Sequence, residues 1–109
     1  MNAPVDAALR ALADGHRRAI LELVRDRPWS VGEVANEVGM SQQAASHHLR
    51  TLRDAGLVTV RREGTRHLFM LRTDGLALVQ EYLEGFWPTH LRALKQAAED
   101  TEQRRRRRD

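Results

Sequence analysis

Apolar residues recur at helical spacing from the beginning of the chain, with Leu9, Leu12 and Ala13 followed by Ile20, Leu21, Leu23 and Val24. The pattern predicts two helices parted near Asp14-Gly15. The second ends at Arg27-Pro28, because proline disfavours helical geometry in the residue before it. Ser30 caps a third helix, with Glu33 completing a capping box and Val31, Val34, Ala35 and Val38 forming the inward stripe. Gly39-Met40-Ser41 is a tight connection, in which glycine suits the left-handed end of one helix and serine caps the next. That fourth helix, Gln42 to about Ala55, turns Ala45, His48, Leu49 and Leu52 inward. Gln43, Ser46, His47 and Arg50 repeat on another face, and Gly56 stops the helix.

After Gly56 the period changes to two. Leu57 to Arg62 and Arg66 to Leu71 read as strands joined by the short hairpin Glu63-Gly64-Thr65, its tip flanked by Arg61, Arg62 and Arg66. From Thr73 onward an amphipathic stretch carries Leu76, Val79, Leu83, Phe86, Trp87, Leu91, Leu94 and Ala98, with Pro88 kinking or restarting the helix near Gly85. So long an apolar stripe exceeds what the preceding body can cover, and a partner subunit is its expected cover. The expected fold is mainly α with a two-stranded β wing and five or six helices. Residues 1–103 form the folded unit and residues 104–109 an arginine-rich tail, expected to be disordered because like charges repel.

Charge refines this picture. The 109 residues carry 18 Lys+Arg against 15 Asp+Glu, a net of +3, yet five of the basic residues are the run Arg104 to Arg108. Without residues 104–109 there remain 13 basic and 14 acidic residues, a net of −1. Within that near-neutral body, Ser41 to Arg72 holds Arg50, Arg53, Arg61, Arg62, Arg66 and Arg72 against Asp54 and Glu63, a local net of +4. The local surplus points to an anionic partner. The absence of cysteine excludes disulfides and thiolate metal sites and fits a cytoplasmic protein. No apolar run approaches the roughly 20 residues that span a bilayer, and Met1 to Asp6 lacks the pattern of a secretory signal, so no membrane association is expected.

A helix, a glycine turn, a polar-faced helix and a basic hairpin together make a winged helix-turn-helix. The major groove of double-stranded DNA admits one α-helix, whose outward side chains meet base edges. Gln42, Gln43, Ser46 and His47 are the candidate base readers; glutamine can bond adenine through both N6 and N7. Ser41, Arg50, Arg53, Arg61, Arg62, Thr65 and Arg66 are the candidate phosphate and wing contacts. The bland reading of the hairpin arginines is a solvated edge protected against aggregation. Their place beside Gly64 favours phosphate contact.

The segments LADGHRRAILEL (Leu12 to Leu23), SVGEVANEV (Ser30 to Val38), SQQAASHHLRTLRDAGLV (Ser41 to Val58) and REGTRHLFML (Arg62 to Leu71) resemble the ArsR-like, or arsenical-resistance-repressor-like, bacterial transcription regulators. FWPTHLRAL (Phe86 to Leu94) is similar to a subgroup often encoded beside a small ligand-binding or lipid-transfer-like protein. The resemblance implies a homodimer whose first and last helices pair, bound as a repressor to a palindromic operator. Leu9, Leu83, Phe86, Trp87, Leu91 and Leu94 would line the dimer interface. Repressor or activator, and whether a small-molecule effector acts, stay open. Metal-sensing members carry cysteines in the segment that here reads SVGEVANEV, or paired Asp and His on the last helix. This chain has neither set, only His90 with Asp74 far from it, so no metal and no cofactor are expected. The family's usual residues before the second helix are here Asp14-Gly15-His16-Arg17-Arg18, with His16 the unusual member.

Several residues have simpler roles. His48 falls on the buried stripe and is read as a hydrogen-bonded packing residue, whereas His47 points about 100° away and is read as a DNA contact. That divergence argues against the two chelating one ion. Ser46, His47 and Asp54 lack the elbow and oxyanion hole of a nucleophilic triad, so no catalytic residue is assigned. Trp29 is read as a packing residue, and Phe86 and Trp87 as interface or core rather than a ligand pocket. The competing functions for this fold are a protein-interaction module and a low-specificity architectural DNA binder.

Overall fold

Each of the first four helices begins at a side chain that satisfies its free amides, in a computed structural model that describes residues 2–108. Met1 and Asp109, the outer ends of the two expected units, and the side chains of His90 and Arg108 lie outside the described set. Asn2 caps α1 (Ala3–Leu12) and Asp14 caps α2 (Gly15–Val24), the latter accepting from the amides of His16 and Arg17 at 2.8 and 3.1 Å. Ser30 and Glu33 cap α3 (Val31–Val38) reciprocally, at 3.3 and 2.9 Å, and Ser41 caps α4 (Gln42–Asp54) through the Ala44 amide at 3.1 Å. These bonds answer the orphan donors of a helix N-terminus. Gly39, at φ 77°, ends α3 in the left-handed region and sends the chain into α4.

Strands β2 (Val58–Glu63) and β3 (Arg66–Leu71) form the antiparallel wing, turned at Gly64-Thr65. The wing is wider than expected. A third strand, β1 (Trp29–Ser30), pairs Trp29 with Phe69 and Ser30 with Leu68, giving the order β1-β3-β2. Two residues are too short for a period-two pattern, and their partners lie some forty positions away. Helix α2 also stops at Val24, ahead of the expected Arg27-Pro28, with residues 25–27 in a turn. Trp29 still packs against the core, and the Arg27 guanidinium lies 3.8 Å above its ring.

The core gathers Ala11, Ile20, Leu21, Val24, Val34, Ala35, Ala45, Leu49, Leu52, Leu57 and Val58 from α1 to β2. Helix α5 (Asp74–Glu84) returns across α1, and its first turn presses on the Ala55-Gly56 bend. Gly75 is required there: a Cβ at that position would stand 2.5 Å from the Ala55 carbonyl oxygen. The chain breaks at Gly85 to Pro88 as expected and restarts as α6 (Thr89–Arg108).

Helix α6 carries the chain away from this body. The radius of gyration is 17.3 Å, against about 13 Å for a compact domain of this length. The arginine run expected to be disordered is helical here through Arg108. Glu102 sits 3.8 Å from Arg106 one turn later, and arginines at a helix C-terminus complement its dipole. Among the described residues no helix is long and apolar enough to cross a membrane.

Candidate nucleic-acid interface

The face of α4 is set by its buried side. Ala45, Leu49 and Leu52 are fully buried against α2 and α3, which fixes the opposite side of the helix outward. Gln42, Gln43, Ser46, His47 and Arg50 are all exposed and together line one shallow, open depression. Arg53 is exposed one turn further on. Gln42 lies nearest α3, its amide 3.3 Å from where a Cβ on Gly32 would stand. The first turn of α4 has no acidic residue, leaving the positive end of the helix dipole unopposed. Ser41, placed among the phosphate contacts, uses its Oγ as the helix cap.

The wing arginines divide between two faces. Cross-strand register puts Arg61, Glu63 and Arg66 on one face, and Arg62 with His67 on the other. Arg61 is 3.4 Å from Glu63, and Arg62 Nε is 3.4 Å from His67 Nε2. Arg66 reaches back to α3, donating to Glu33 Oε1 at 3.1 Å, while Arg27 lies 3.7 Å from Glu33 Oε2. The Ser30 amide, with lesser help from Arg27 and Arg66, holds the Glu33 carboxyl below the ordinary carboxylate range. Thr65 is exposed in the turn itself.

His48 is half-buried, with Nδ1 3.5 Å from Arg17 Nη1. Burial pushes its imidazole below the ordinary histidine value, partly offset by Asp14. Sequence reasoning missed the second role of Glu33, the pairing of His67 and the grouping of Asp14, His16 and His48. Glu33 carried a signal for its cap, but nothing local marks a bond to a residue 33 positions away.

The expected dimer residues do not share one environment. Leu9 is half-buried on α1. Leu83, Phe86, Trp87, Leu91 and Leu94 are 43 to 66% exposed on α5, the connection and α6, with Tyr82 at 46% beside them. Tyr82 and Phe86 meet edge to face, 5.1 Å between ring centroids. This is a large apolar surface for a lone chain to expose.

A buried-sided helix after a glycine turn, flanked by a basic wing, defines a winged helix-turn-helix regulator. The comparisons agree: a helix-turn-helix domain family matches residues 12–61. The chain is 45% identical over 82 residues to the HTH-type transcriptional regulator Rv2034 of Mycobacterium tuberculosis, covering 75% of this chain and 77% of that one. It is 30% identical to the arsenical resistance operon repressor of Staphylococcus xylosus, covering 70 and 73%. Against three further M. tuberculosis regulators the match spans 40 to 58% of their lengths. Among solved structures, the homodimeric winged helix-turn-helix DNA-binding domain Mb0332 of Mycobacterium bovis superposes with a TM-score of 0.63 at 35% identity, over 78% of this chain and 82% of that one. The chain belongs to the ArsR-like family of winged helix-turn-helix transcriptional regulators, a family of regulators and not of enzymes.

Proposed function

We propose that the protein is a homodimeric, sequence-specific DNA-binding repressor that occludes a palindromic promoter operator. One observation carries this: Gln42, Gln43, Ser46 and His47 stand exposed along one face of α4, backed by a fully buried face and flanked by a basic wing. In this reading those four side chains meet base edges in the major groove. Ser41, Arg50, Arg53, Arg61, Arg62, Thr65 and Arg66 set register on the phosphates. The exposed apolar surface from Leu83 to Leu94, with Leu9, pairs with its counterpart in a second copy. Two-fold symmetry then calls for half-sites about one helical turn apart. The reading places the protein in the cytoplasm, with release from the operator following a signal such as a small-molecule effector.

A binding titration against the DNA upstream of its own gene, with random competitor at stated salt, tests the reading. Binding at least about 10³-fold tighter to the upstream fragment is expected. Equal affinity for both would indicate an architectural binder, and no binding a protein-interaction module.

A further inference from the structure

The N-terminus of α2 and the middle of α4 bring three metal-binding side chains together outside the candidate DNA face. Asp14, His16 and His48 each offer one ligand atom, all within 4.8 Å of one another. From these positions we infer a binding site for a borderline divalent transition metal, of the zinc, nickel or cobalt class. The donor set is two imidazoles and a carboxylate, which suits such ions and offers nothing to thiophilic ones. This departs from the expectation of no metal. The expectation rests on the divergence of His47 and His48 and on the residues of α3 and the last helix, and includes no residue of α2.

Asp14 is held in place, since its Oδ1 accepts the amides of His16 and Arg17 at 2.8 and 3.1 Å. His48 is fixed by its place on the inward side of α4. His16 is the adjustable member: it is 69% exposed, its Nδ1 is 4.0 Å from Asp14 Oδ1, and its ring centroid is 6.0 Å from that of His48. A tetrahedral ion with bonds of about 2.0–2.2 Å sets its ligand atoms roughly 3.5 Å apart. From ligand atoms within 4.8 Å of one another, small shifts of all three side chains, largest in the exposed His16, reach that spacing and leave the fourth position to water.

Arg17 works against the ion. Its Nη1 is 3.5 Å from His48 Nδ1 and 3.9 Å from Asp14 Oδ2. Its Nε and Nη2 are held by the carbonyls of Ala11 and Arg10 at 2.8 and 2.9 Å. Nη1 is thereby held against two of the three ligand groups, so an ion binds only by displacing it from His48 Nδ1. A bound ion would tie α2 to α4. Any effect on operator affinity rests on the DNA reading; binding itself does not.

The test is a cobalt(II) chloride titration of the tag-free full chain, followed by visible absorption and calorimetry, on wild type and His16→Ala. One ion per chain is expected, with at least tenfold weaker binding in His16→Ala and an unchanged circular dichroism spectrum. Because His16 is exposed, that variant reports on the ligand and not on folding, and His48→Gln is a second variant for the same comparison. No binding by wild type, or binding by His16→Ala equal to wild type, overturns the proposal.

Discussion

Glu33 Oε1 accepts both the Ser30 amide and the Arg66 guanidinium, at 2.9 and 3.1 Å, so one carboxylate closes a helix cap and anchors the wing. Glutamine at the third helical position still completes a capping box, so Glu33→Gln separates the two roles. A small loss of stability is expected, since the ionised Glu33 carboxylate contributes to the fold at neutral pH, while random-DNA affinity rises because Arg66 is released from its carboxylate. Fluorescence anisotropy at low salt checks this; unchanged affinity would mean that Arg66 does not reach phosphate.

Gly75 fits against the Ala55 carbonyl so closely that any β-carbon must displace backbone. Gly75→Ala is expected to cost about 1 to 3 kcal/mol, as overpacking does, despite the better helix propensity of alanine. Urea melts would show a lower midpoint with an unchanged slope. A neutral or stabilising result would mean that α5 can lift away from the Ala55-Gly56 bend.

His48 makes stability depend on pH in a definite direction. Its folded-state pKa lies below the ordinary 6.5, through burial first, with Arg17, His47 and His16 adding to the depression and Asp14 opposing it. Between 6.5 and that lower value the unfolded chain binds more protons, so stability falls as pH drops through the window. The urea midpoint should therefore decline from pH 7.5 to 5.5, and decline less in His48→Gln. Asp14, Glu33 and Asp74 have depressed carboxyl pKa values, so their contributions persist above about pH 4 and are lost only below it.

Trp87 is 47% exposed and Phe86 66%, beside one another on the uncovered surface. Trp87→Glu places a charge at the expected dimer seam. Sedimentation equilibrium should give twice the 12.5 kDa chain mass for wild type and the single-chain mass for the variant. A wild-type monomer, or a variant that still dimerises, would remove this surface from the interface.

The elements readable from sequence were those with local causes. Ser30 with Glu33, Gly39, Ser41 and Pro88 each set a helix end within a few residues, and the α4 stripe separated Leu49 from Gln43 by helical period alone. What escaped was long-range. Strand β1 exists because Trp29 meets Phe69, and Arg66 is oriented by Glu33; neither relation leaves a mark on neighbouring residues. Like-charge repulsion alone predicts a disordered arginine run, whereas in the structure it continues a helix begun at Thr89, with Glu102 offsetting Arg106. His16 is locally only an unusual residue beside the Asp14 cap, because His48, which completes the group, comes from another helix.

The division of labour between α4 and the wing is tested most directly by measuring Gln43→Ala and Arg62→Ala on operator and on random DNA across a salt series. Gln43→Ala should lose about 1 to 3 kcal/mol on the operator, relax preference at one base position and leave random DNA unaffected. Arg62→Ala should weaken both alike and lower the salt slope by about 0.9. Equal losses on both DNAs for both variants would contradict base reading by α4.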